Sequence, residues 1–324
     1  MCFYLELVLR LPATTVRSMR IAIATAEPRG AYHLTPLAVA LNESLTEFVH
    51  LVPYPESVQG EPVAEVSSCL SVIETCDRVV ITGGTLSAWT ELVCRYAASL
   101  NKPVVFSELA YVNNTTPVTP RAPVNLATAL SIDGADSVAK YLRMSDVVIT
   151  GTPALDGLPL WNPVHKRALL LSMSDMTRRD PTLELLATGV ALRQHGWDVR
   201  VRTHPREDRT PWDSFNVVDG ETQAESAASA QVVIGYPGSA HVLAAAVGVP
   251  VVALSPNAAL ASVFTERQAA AMSAHAQSAG EILDLIDSVC TPDPLLVESV
   301  VGPVGGASRR IVNLWTGQLP NTTA

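Results

Sequence analysis

The chain has 324 residues, room for two domains of ordinary size, and 48% hydrophobic against 16% charged residues, enough for a large core. Its formal charge is −9 and no basic run exceeds a pair of arginines, which argues against a general nucleic-acid surface but leaves room for a small phosphate pocket. No apolar run is long enough for a membrane span. The five cysteines, at 2, 69, 76, 94 and 290, form no CxxC pair and no zinc spacing, the pattern of reduced thiols in a cytoplasmic protein.

In chain order, residues 1–18 come first. Glu6 and Arg10 interrupt their apolar character, so they read as an N-terminal extension rather than a signal peptide. "RIAIATA" (20–26) then predicts a core strand, followed by a helix from about Thr35 to Ser44. "FVHLVPY" (48–54), "RVVITGG" (78–84) and "PVVFSEL" (103–109) predict further strands, with helices over 65–76 and 87–100 between them. Residues 110–125 hold three prolines and little periodicity, and predict a long loop. A helix around 134–143 and a strand beginning at Asp146 lead to a Gly/Pro-rich stretch.

The pattern then restarts. Strands are expected at 167–174, 198–205 and 216–220, with helices at 182–196 and 222–230, ahead of a stretch over 232–254 that opens and closes on an apolar run. Continuous Val/Ile runs separated by helices signal parallel sheets covered on both faces. The expected class is therefore α/β, with two Rossmann-like domains. The domains fall at 19–155 and 156–305, and residues 306–324 form a helix and tail that cross back to the first domain. Neither half carries a clear GxGxxG after a strand, and "GPVGGAS" (302–308) follows no strong strand signal.

The stretch richest in chemistry is "VVIGYPGSAHVLAAAVGVPVVAL" (232–254), a strand, a Gly-Ser turn and a helix of small residues. A helix start presents unpaired N–H groups and partial positive charge, which together suit a phosphate. Gly238 admits a ligand close to the backbone, and Ser239 can cap the helix or donate its hydroxyl. An ordinary capped turn would use the same residues. A second element is "VRTHPRED" (201–208), which places His204 and Arg206 just past a strand end, where ligands of open α/β sheets bind. A third is "SMSDMTRRD" (172–180), with Ser172, Ser174, Arg178 and Arg179; its arginines read equally well as a solvated helix start.

These segments resemble the donor-binding domain of GT-B glycosyltransferases. The likeness is closest to the branch of non-hydrolysing UDP-N-acetylglucosamine 2-epimerases and CDP-glycerol and capsule-polymer transferases. "VVITGTPALDGLP" and "GPVGGASRRIVNLW" are similar to that branch's linker and closing segments. "VVITGGTLSAWTELVCRYAASLNKPVVFSELAYVNN" (79–114) is similar to an epimerase segment, with two departures. Gly84 stands where the epimerases carry Asp, and Leu109-Ala110-Tyr111-Val112 replaces their Ala-Gly-Leu-Arg. Ser239-Ala240-His241 stands in the region where the family carries a ribose-binding Glu.

The resemblance implies a GT-B-like fold, two Rossmann-like domains facing across a cleft, with a C-terminal helix crossing back. It implies a transferase moving a sugar or related group from a nucleotide-activated donor to a small-molecule or glycan acceptor. His204, Arg206, Gly238, Ser239, Ala240, His241, Ser172, Ser174 and Arg178 would hold the donor. Glu108, His33 and Glu27 are the candidate bases: Glu108 by resemblance, His33 by its near-neutral titration. No Asp-x-Asp triplet occurs, so no metal and no resident cofactor are expected. A homodimer is a compatible assembly. An epimerase or hydrolase, and a nucleotide-binding subunit without turnover, are the alternatives.

Overall fold

The computed structural model describes residues 19–25, 34–44, 46–51, 66–83, 86–109, 122–172, 182–204 and 207–317. The N-terminal extension and the Pro-rich stretch of 110–121 lie outside them. The chain forms two compact units: one of residues 1–156 together with 302–324, the other of 157–301.

The first unit holds a six-stranded sheet of β1 (Arg20–Thr25), β2 (Glu47–Leu51), β3 (Arg78–Gly83), β4 (Val104–Glu108), β5 (Leu126–Ala129) and β6 (Val147–Ile149). The order is β2-β1-β3-β4-β5-β6, with every pair parallel. Alternate residues of a strand face opposite sides of the sheet. Ala22 and Ala24 accordingly join one buried cluster with Val79, Ile81 and Phe106, beneath the helices Ala88–Ser99 and Ile132–Leu142. Ile21 and Ile23 join another with Val80, Val105, Ile311 and Trp315. Ile311 and Trp315 come from the last described helix, Ala307–Thr316, so the C-terminal segment completes the core of the first unit.

That return is anchored by polar contacts. Asp156 accepts from the backbone N–H groups of Ala307 and Ser308, at 2.8 and 2.7 Å, and so caps the helix with a carboxylate. Arg310 donates to the carbonyls of Thr150, Pro303 and Gly305, each at 2.8 Å.

The second unit holds β7 (Arg167–Leu171), β8 (Asp198–Arg202), β9 (Asn216–Val217), β10 (Val232–Gly235), β11 (Val251–Leu254) and β12 (Ala274–Ala276). Its sheet is also parallel throughout, in the order β12-β11-β10-β7-β8-β9. Leu170, Val201, Ile234 and Val252 meet Leu192 and Trp212 in its core.

The predicted strands are present among the described residues, with β8 ending at Arg202 and β9 only two residues long. The helix expected from Thr35 begins as a 3-10 turn over Thr35–Leu37 and continues as Ala38–Glu43. Two strands were not predicted, β5 and β12, whose sequences are LATA and AHA. They hold few of the branched residues that mark a strand, and pairing with β4 and β11 supplies what local preference does not. Cys76, Cys94 and Cys290 are free thiols, and burial pushes the Cys94 thiol up to about 11.

Candidate functional site

The second sheet starts at β7, runs outward through β8 and β9 on one side, and through β10, β11 and β12 on the other. The direction of winding reverses between β7 and β10, and ligands of open α/β sheets bind outside the strand ends at such a switch point. The register sets three ends level there: Leu171 pairs with Arg202 on β8 and with Gly235 on β10. Ser172, His204 and the Gly238 turn therefore leave the same edge of one sheet.

Gly235 must be small. A Cβ there would run into the Leu171 carbonyl and sit 3.2 Å from Cε1 of His241. The backbone does not require a glycine at Gly238, which is extended at φ −177° and ψ 173°, a conformation open to any residue. Gly238 is the N-cap of the helix Ser239–Val247, and as a glycine it brings no side chain of its own to cap that helix. His241 N–H turns back to the Gly238 carbonyl at 3.0 Å. Ser239 is exposed at the first turn and Ala240 is half-buried, which leaves the helix start open to a small anion.

His241 does not line that opening. It is 1% exposed, its ring stands edge-on to Phe264 at 6.1 Å, and neither ring nitrogen has a hydrogen-bond partner of good geometry. Burial lowers its pKa to about 4; the Gly235 backbone opposes the shift only in part and nearby His275 adds to it. The imidazole expected among the donor-binding residues is thus a neutral packing group beneath the turn.

Beside the turn lies a cluster centred on Glu207. One carboxylate oxygen accepts from the Ser172 hydroxyl and from Trp212 Nε1, the latter at 3.2 Å. The other accepts from the backbone N–H of His204 at 3.1 Å. The Glu207 N–H returns to the His204 carbonyl at 2.9 Å and closes the turn. Sequence reasoning passed over Glu207, because an acidic residue in a charged turn reads as a solvated one. The β8 arginines are engaged elsewhere. Arg200 pairs with Glu221 at 2.8 Å and holds that carboxyl below the usual range, while Arg202 donates to the Glu221 carbonyl and to Ser226.

In the first unit, Glu108 ends β4 as expected, but its side chain is fully buried. Its Oε2 accepts from Leu130 N–H at 2.8 Å, and a Cβ on Gly134 would collide with the same oxygen. The carboxylate is packed against the first turn of the helix Ile132–Leu142, where the helix dipole stabilises a negative charge. Enclosed in this way, the carboxylate holds the start of the neighbouring helix. Glu27, His33, Gly84, Ser174, Arg178, Arg179 and Arg206 lie outside the described residues. Among the described residues, no group of three or more His, Cys, Asp or Glu side chains is placed to hold a metal ion, and no helix is long and apolar enough to cross a membrane.

No protein-family model matches the sequence, and no curated protein matches it. Solved structures do match the fold. S. aureus MnaA, in a co-structure with UDP, superposes with a TM-score of 0.60 at 15% identity, covering 94% of this chain and 99% of that one. The UDP-GlcNAc 2-epimerase of Methanocaldococcus jannaschii gives 0.59 at 13% identity over 92% of this chain and all of the other. Acinetobacter baumannii MurG gives 0.50 at 13% identity over 92% and 99%. At such identities the likeness is one of fold, and the fold is GT-B-like: two parallel α/β units of Rossmann type, as in these epimerases and MurG.

Proposed function

We infer that the protein is a nucleotide-sugar enzyme, and specifically a glycosyltransferase that moves a sugar or related group from a nucleoside-diphosphate donor to an acceptor without a metal. The observation that carries this reading is the glycine-headed start of the helix Ser239–Val247, at the switch point of the second sheet and level with Ser172 and His204. Fold likeness to nucleotide-sugar enzymes, one of them with UDP, supports it and makes UDP the first probe.

In this reading the donor diphosphate lies on the helix start. The first backbone N–H groups and the Ser239 hydroxyl take its oxygens, and His204 neutralises charge on the leaving group. Arg206, Ser174 and Arg178 are proposed as further donor contacts. With Glu108 enclosed, the base for the acceptor hydroxyl is assigned to the segment following β1, which carries Glu27 and His33. Thermal shifts with UDP, CDP, GDP and TDP, for wild type, Ser239→Ala and His204→Ala, test the donor site. One diphosphate should stabilise the wild type, with the shift reduced in both variants. Transfer that survives chelation by EDTA is expected, and its abolition would rule out the metal-free mechanism.

The likeness to the Methanocaldococcus jannaschii epimerase favours a second reading, in which the donor sugar itself is isomerised. That reaction needs acid–base groups on both faces of a sugar carbon. Glu108, which resemblance would supply as one of them, is enclosed. Incubating nucleotide sugar without acceptor separates the two: a C2 epimer or a free glycal would replace the transferase reading.

A further inference from the structure

We propose that Glu207 is a positioning residue of the donor site, fixing the His204 loop at the strand edge where the diphosphate is to bind. The inference rests on the donor-site reading above and adds to it a residue with a defined chemical requirement. Glu207 joins three separate segments: Ser172 after β7, His204 after β8, and Trp212 in the 3-10 turn Thr210–Trp212. Trp212 is fully buried and gives the cluster a rigid floor.

The partners demand a carboxylate. The backbone N–H of His204 and the indole N–H of Trp212 can only donate, and each meets a different oxygen of Glu207. The Ser172 hydroxyl can donate or accept. A glutamine has one acceptor oxygen and one donor NH2. Whichever way its amide turns, the NH2 faces an obligate donor, either the His204 backbone or the Trp212 indole. Glu207→Gln therefore loses a bond that nothing can replace, although its shape is unchanged. Removing the indole donor relieves the conflict. In a Trp212→Phe background the amide oxygen can keep the His204 N–H while the NH2 faces a Ser172 hydroxyl turned to accept.

The test measures dissociation constants for whichever of UDP, CDP, GDP and TDP stabilises the full-length wild type most, with thermal denaturation to confirm folding. Glu207→Gln is expected to weaken binding by about tenfold, the scale of one hydrogen bond to a charged acceptor. The same change made on Trp212→Phe should weaken it by less than about twofold, and so should the change made on His204→Ala, where no imidazole remains to be positioned. A general loss of folding would not show this pattern. Equal weakening by Glu207→Gln with and without His204 would overturn the proposal, as would full affinity in Glu207→Gln while Ser239→Ala binds weakly; that second result leaves the donor site standing. If none of the four diphosphates binds the wild type, the donor site and this proposal fall together. The His204 cycle decides the matter even if Trp212→Phe does not fold.

Discussion

At the residue scale, the turn at Gly238 sets stability against binding. Its extended backbone needs no glycine, and a serine is a better N-cap than glycine because its hydroxyl takes one of the free N–H groups. Gly238→Ser is therefore expected to stabilise the fold by about 0.3 kcal/mol and to weaken nucleotide binding, since the new hydroxyl competes with phosphate for the same donors. Denaturant unfolding and titration on the same samples check both signs. His241 makes a second prediction. Its unfolded pKa is 6.5 and its folded value about 4, so between them the unfolded chain holds the extra proton. Its contribution is complete above pH 6.5 and is lost as pH falls toward 4, by up to ~3 kcal/mol at about 1.4 kcal/mol per unit. His241→Leu should flatten that limb of the stability–pH curve measured by urea unfolding. The Gly-Ser turn was legible because strand, small turn and helix are contiguous. The burial of His241 was not, because its neighbour Phe264 comes from a separate segment. One partner of Glu207 was hidden for the same reason, since Ser172 is brought to it by the pairing of β7 with β8.

At the element scale, the helix Ile132–Leu142 depends on a side chain from β4. Ser131 caps Gly134 N–H at 3.1 Å, and Glu108 takes Leu130 N–H just before it. Gly134→Ala would normally favour a helix. Here the added methyl meets Oε2 of Glu108, and the variant is expected to lose about 1–3 kcal/mol as an overpacked site. Gly134→Ala combined with Glu108→Ala should lose less than the sum of the two single changes, as coupled neighbours do. Calorimetric unfolding of the four proteins checks this. Strands rich in Val and Ile were legible as elements. β5 was not, because LATA holds one β-branched residue in four and gains its strand conformation from β4 and β6 on either side.

At the scale of the whole molecule, the two units differ in how the chain builds them. The second is one continuous run, 157–301, and the first needs both flanking pieces. A 157–301 fragment is expected to fold alone and to keep nucleotide affinity, whereas a chain ending at 156 should not fold stably. Trp315→Ala should cost the full protein about 3–5 kcal/mol, the range for removing a buried aromatic. Circular dichroism and denaturant unfolding of the two fragments and of the Trp315 variant decide these points. The return of the chain was legible in the apolar face of "RRIVNLW", with Ile311, Leu314 and Trp315 spaced along one side. The order in which a ribosome releases these parts then acquires a meaning. Ile21, Ile23, Val80 and Val105 are made early, and the Trp315 that covers them emerges about 160 residues after Asp156, roughly 10–30 s later at usual synthesis rates. Throughout that interval the nascent first unit shows an uncovered apolar face, while the second, made later, is complete first. The first unit is therefore expected to reach its final packing only after the second.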